Sequence, residues 1–143
     1  MRLGAVAVLA ITSFSSTTWA DDVADCLASH EEGQVAKRDG RFDRAREAFA
    51  NCQRDVCPAA VRSRCTEFAR ALEAAQPTVV VIVRDAKGAD VGGARVSVDG
   101  APAVDVPGMG MRLNPGSRRL RVEAPSYAAV EKTILVHEGI KDA

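Results

Sequence analysis

Four cysteines are the residues whose chemistry this sequence puts first: Cys26, Cys52, Cys57 and Cys65 all fall in the first half of the chain, and the second half has none. Grouped thiols can close disulfides, hold a metal or act as nucleophiles. The gaps between these four do not form the paired CxxC knuckles that a compact tetrahedral zinc site uses. In an oxidising compartment an even number of cysteines is most simply a pair of disulfides.

The other candidates for chemistry are thinner. His30 is followed by Glu31 and Glu32, but the histidine shares a helical stripe with Val23, Cys26 and Leu27 while the two glutamates point elsewhere. A partly packed ring is expected, and the spacing of a zinc protease is absent. His137 stands alone near the last residues. Asp21-Asp22, and Asp85 with Asp90, fall at a terminus and in a hairpin-like turn, where solvation accounts for them. There is no serine elbow, phosphate loop or dinucleotide fingerprint, and Gly108, Gly110 and Gly116 follow loop spacing. Arg112, Arg118, Arg119 and Arg121 are the densest basic group, and Arg119 and Arg121 share one face of a strand. Such a group could hold an anionic envelope polymer or glycan; the alternative is a solvated outer face balanced by Glu123 and Glu131. Aromatic residues are scarce, with Tyr127 left as the one candidate for stacking on a sugar. No enzyme, cofactor or metal is expected from this inventory.

Residues 1–20 read as a signal peptide: Met1-Arg2 is a basic start, Leu3 to Ile11 an apolar run, and Thr18-Trp19-Ala20 a cleavage site. The run falls short of the roughly 20 residues that span a bilayer, so no integral membrane segment is expected in the mature chain. Asp25 before Cys26 argues against lipid attachment there, since a small residue would precede a lipidated cysteine. Periplasmic or secreted localisation follows. With 19 basic and 19 acidic residues, no field favours nucleic acid.

Residues 21–76 read as a helical module of three helices. Phe42, Ala45, Phe49, Cys52 and Val56 make one stripe, and Val61, Cys65, Phe68 and Leu72 another, with Asp39-Gly40 as a turn and Pro58 as the first residue of the third helix. Four cysteines allow three pairings. A helix starting at Pro58 separates Cys57 from Cys65 by about 12 Å of rise, beyond the roughly 7 Å a disulfide allows between Cα atoms.

Gln76-Pro77 ends the helical pattern, and residues 77–143 read as a small antiparallel β-sandwich. Thr78 to Val83 is a β-branched run expected to form a buried strand. Val96 and Val98 alternate inward before an Asp99-Gly100 turn, Leu120 and Val122 alternate with Arg119, Arg121 and Glu123, and Val130 to Val136 forms a last strand. The fold class expected is therefore α+β in two modules.

Gly33, Gly40-Arg41-Phe42, Ala45, Phe49, Cys52 and Pro58 resemble a tetratricopeptide repeat, with Ser29, Glu32 and Ala36 where that family has larger apolar residues. The resemblance implies a protein-binding hairpin. It also implies that Cys52 faces Cys65 and that Cys26 and Cys57 meet at one end of the bundle. Val96-Ser97-Val98-Asp99-Gly100, Leu113-Asn114-Pro115-Gly116, Leu120 to Ala124 and Tyr127 resemble PEGA-type and carboxypeptidase-regulatory-like domains, although the four letters that name the PEGA family are not present. The whole arrangement resembles exported proteins of myxobacteria and their relatives, in which the chain continues past the equivalent of Glu138-Gly139 into a final strand. The domain is expected either to lack an edge strand or to borrow one from a partner. These resemblances imply a non-enzymatic cell-envelope adaptor or scaffold acting on an envelope protein. Binding of a cell-wall polymer through the sandwich is the alternative.

Overall fold

The computed structural model describes residues 18–106 and 108–143. The greater part of the expected signal peptide, residues 1–17, lies outside them. Among the described residues, α1 (Thr18–Arg38), α2 (Phe42–Asn51) and α3 (Ala59–Ala75) precede six strands: β1 (Thr78–Val79), β2 (Arg95–Val98), β3 (Val104–Asp105), β4 (Met111–Arg112), β5 (Gly116–Glu123) and β6 (Val130–Val136). None of these helices is long and apolar enough to cross a membrane.

Helix α1 stops because Gly40 adopts a left-handed conformation at φ +70°. There the Arg41 N–H reaches back to the Ala36 carbonyl and the Gly40 N–H to the Lys37 carbonyl, which satisfies groups that the helix end leaves open. The chain reverses and α2 buries Phe42, Ala45, Ala48 and Phe49. Phe49 fills the helical core with Ala36, Cys52, Cys65 and Leu72, and its ring stacks on Phe68 at 5.6 Å between centroids. Gly33 makes this approach possible, because a Cβ there would collide with the Phe49 ring. Disulfides join Cys26 to Cys57 and Cys52 to Cys65. The first ties α1 to the turn before α3, and the second ties the end of α2 to the middle of α3.

The strands form a two-stranded sheet, β1-β4, and a four-stranded sheet in the order β3-β2-β5-β6, with every pair antiparallel. Val96 is fully buried on β2, and Asp99 and Gly100 both take positive φ in the turn that follows. The core between the sheets is small: Val79, Leu113 and Val136, with Val98, Met111 and Ile134 against them.

Two expectations are corrected. Val56 does not extend the α2 stripe, because the helix ends at Asn51 and Val56 sits half exposed in the turn. The strand expected over Thr78 to Val83 is formed only at Thr78–Val79, since β4 offers two residues to pair with; Ile82 is 65% exposed. A smaller difference lies at Pro58, which caps α3 where the sequence suggested its first residue.

The helical and β halves are joined by polar contacts at two helix ends. Arg41 gives α2 no side-chain cap. Instead Asn114 accepts the Asp43 N–H at 3.1 Å and donates to the Asp43 carboxylate at 2.9 Å, from 71 residues away. At the other end, Lys141 donates to the Glu73 and Gln76 carbonyls, and the Gly139 N–H to that of Ala75, neutralising the carbonyl end of α3. Between them the buried Gln76 amide donates to the Pro77 and Leu113 carbonyls and accepts from Arg46.

Burial pushes the Asp43 carboxyl up, but the Asn114 amide, the Arg44 N–H and the Arg46 charge outweigh it and hold it below its ordinary 3.8. A group held low stabilises the fold above its unfolded pKa, and that contribution is lost as pH falls through about 4 and below. Asn114→Ala is expected to cost about 1 kcal/mol at pH 7, the usual value of a helix cap. Urea unfolding of the variant at pH 7 and pH 3 checks this: its deficit should shrink at the lower pH. A deficit that is equal at both would show that the carboxylate plays no part.

Candidate functional site

The four arginines singled out above do not form one surface. Arg112 lies on β4 and bonds Glu73 of α3. Arg118 and Arg119 are adjacent on β5 and therefore point to opposite faces. Arg118 bonds Asp99 at 2.9 Å and the Pro115 carbonyl. Asp99 is held low in turn, chiefly by the Arg119 N–H, against a smaller upward push from burial and with further help from Arg118. Arg121 shares the outer face with Arg119 but is engaged by Glu123 and Glu131 at 2.8 and 3.1 Å. Those two carboxylates hold the Arg121 guanidinium above its ordinary value. Arg119 alone of the four makes no ion pair among the described residues.

His30 is half buried, with its ring 5.4 Å from that of Phe68 and the Gln34 amide within hydrogen-bond distance. No group of three or more potential metal ligands occurs among the described residues. A hollow of about 570 Å³ at the junction of the two halves is walled by Asp43, Arg46, Asp99 and Arg118, whose charges already engage one another or Asn114, Gln76 and Glu73.

An apolar groove of about 530 Å³ lies between residues 79–84 and β6. Its volume lies in the range of ligand pockets, roughly 300–1,000 Å³. Leu120 and Val122 of β5 contribute to it, and Val79 to Val83 form one wall. On β6, Val130 and Lys132 stand opposite Val122 and Leu120, so alternation turns them to the groove side. Arg84, Lys132 and His137 are the basic side chains of the lining, which includes no acidic side chain. Arg84 bonds Asp90.

Both walls are edges of backbone. The Arg119 N–H and carbonyl are turned to Asp99, away from β6. In an antiparallel pair this makes Arg118↔Ile134, Leu120↔Lys132 and Val122↔Val130 the bonded pairs. The backbone groups of Glu131, Thr133 and Leu135 then point out of the sheet. On the facing wall the Thr78 N–H bonds the Ile140 carbonyl, the Ala143 N–H bonds Thr78, and the Val80 N–H bonds Ala143. Residues 140–143 thus run parallel to β1 for a short distance. Among the described residues the backbone of Ile82, which alternation aims the same way, meets no backbone partner. The sequence signal for this site was the unbroken run Val79 to Val83, which sequence reasoning assigned to a buried strand.

Two disulfides fit an oxidising compartment outside the cytoplasm. No curated protein and no solved structure matches the chain. Residues 88–141, which hold β2 to β6 and the turn at His137 to Gly139, match the PEGA domain.

Proposed function

We propose that the protein is a non-enzymatic adaptor of the cell envelope that binds another protein. The observation that carries this reading is the PEGA-matching β half, with its open apolar groove, joined through Asn114 and Lys141 to a disulfide-stapled helical hairpin. The tetratricopeptide-like pattern of that hairpin supports a second protein-binding face.

Mild crosslinking of the whole chain in the envelope of its own cell, with the wall polymer digested before analysis, tests the proposal. A discrete crosslinked protein is the expected product. Recovery of wall fragments alone would replace this reading with polymer binding, which the engaged Arg118 and Arg121 make the weaker alternative.

A further inference from the structure

Resting on the adaptor reading, we infer that the groove between residues 80–84 and β6 takes an extended segment of a partner protein as an added strand, with an acidic residue set against Lys132 and apolar residues alternating beside it. The geometry fixes the direction. Residues 140–143 leave β6 through the turn at His137 to Gly139 and run parallel to β1. A strand lying along that line would be parallel to Val80–Ile82 and antiparallel to β6, and would bond Ile82 on one side and Glu131, Thr133 and Leu135 on the other. Its inward side chains would cover Leu120, Val122 and Val130, the last of which is 62% exposed.

Charge selects the occupant. Lys132 turns inward on an edge strand, a placement that discourages edge-to-edge pairing with an indiscriminate partner. It makes no ion pair among the described residues. An aspartate or glutamate in the incoming strand would answer it. A second copy offering its own β6 would bring another Lys132 into a groove that already holds Arg84 and His137. A fatty acyl chain would cover the apolar floor and leave the backbone groups on both walls unmet.

The test uses the whole chain and a fluorescent nine-residue peptide of alternating valine and threonine with one central glutamate, followed by anisotropy and amide hydrogen exchange. Saturable binding is expected, with protection of the Ile82, Glu131, Thr133 and Leu135 amides. Replacing the central glutamate by lysine should weaken binding about tenfold, and Lys132→Glu, an exposed substitution, should reverse that preference. Methylating the peptide's backbone nitrogens should abolish it. Equal binding of the two peptides, or binding that survives methylation, would overturn the inference. So would protection of those amides before peptide is added, or sedimentation showing dimers that the peptide does not dissociate, since the groove would then be occupied by this chain itself. If crosslinking recovers an envelope protein and Lys132→Glu leaves that product unchanged, the strand inference fails while the adaptor reading stands.

Discussion

With Cys52 and Cys65 both replaced by alanine, the protein is expected to unfold about 3 kcal/mol more easily. The pair closes a loop with a sequence separation of 13, and the entropy removed from the unfolded chain by a loop of that length is of this order. Both sulfurs lie in the helical core, so alanine also leaves small voids, whereas serine would bury hydroxyls without partners. The Cys26–Cys57 pair closes a longer loop, with a separation of 31, and its loss should cost nearer 4 kcal/mol. A core this small supplies about 3–5 kcal/mol in all. Losing both bridges, about 7 kcal/mol by the same estimate, exceeds this, so complete reduction is expected to remove most of the helical circular dichroism at 37 °C, while either single replacement lowers the urea midpoint. An unchanged urea midpoint after full reduction would mean that packing alone holds the three helices.

Phe49→Ala is expected to cost about 3–5 kcal/mol, the range for emptying a fully buried aromatic site. Its ring touches Gly33 on one side and stacks on Phe68 on the other, so the void cannot be closed by one neighbour moving. Gly33→Ala tests the same contact from the other helix. Helix propensity alone would make alanine about 1 kcal/mol better than glycine. The Phe49 ring fills the space that a Cβ at position 33 would need, which reverses the sign, because an aromatic wedged between two helices has no room to retreat. Combined with Phe49→Leu, Gly33→Ala should be tolerated better than the two separate costs add up to, by at least about 0.5 kcal/mol. Thermal or urea unfolding of the four proteins completes the cycle, and strict additivity would show that the two residues are not in contact.

The parts of this fold legible in the sequence are those in which local pattern and tertiary packing agree. Val96 and Val98 alternate before a turn whose Asp99 and Gly100 both adopt positive φ, and the bounds of β6 coincide with the strand expected over Val130 to Val136. The run Thr78 to Val83 forms less strand than its composition suggests, because β-branched residues favour extended backbone without specifying a partner, and β4 meets only two of them. Val56 continued a helical period that the turn after Asn51 had already ended. The arginine group was dense in sequence, yet neighbouring residues on a strand face opposite ways, and each of Arg112, Arg118 and Arg121 had a carboxylate within reach. Nothing local could have announced Asn114 as the cap of α2, since a hydrogen bond between positions 71 apart leaves no trace in either neighbourhood. The groove was legible only as an expected edge; which backbone groups line it depends on the register of β5 and β6.

The cap on α2 also sets a timetable. A polypeptide appears from its amino terminus, and Asp43 emerges 71 residues before the asparagine that caps it, while the Lys141 that closes the end of α3 comes 68 residues after Glu73. During synthesis the helices therefore exist with both of these ends open to water, held by hydrophobic contact and, once oxidised, by sulfur bridges. The stretch from Gly139 to Lys141 acts as a latch: until it arrives, α3 frays at its carboxyl end, and a nascent chain halted before Asn114 should expose that fraying to a protease at the Glu73 to Gln76 turn.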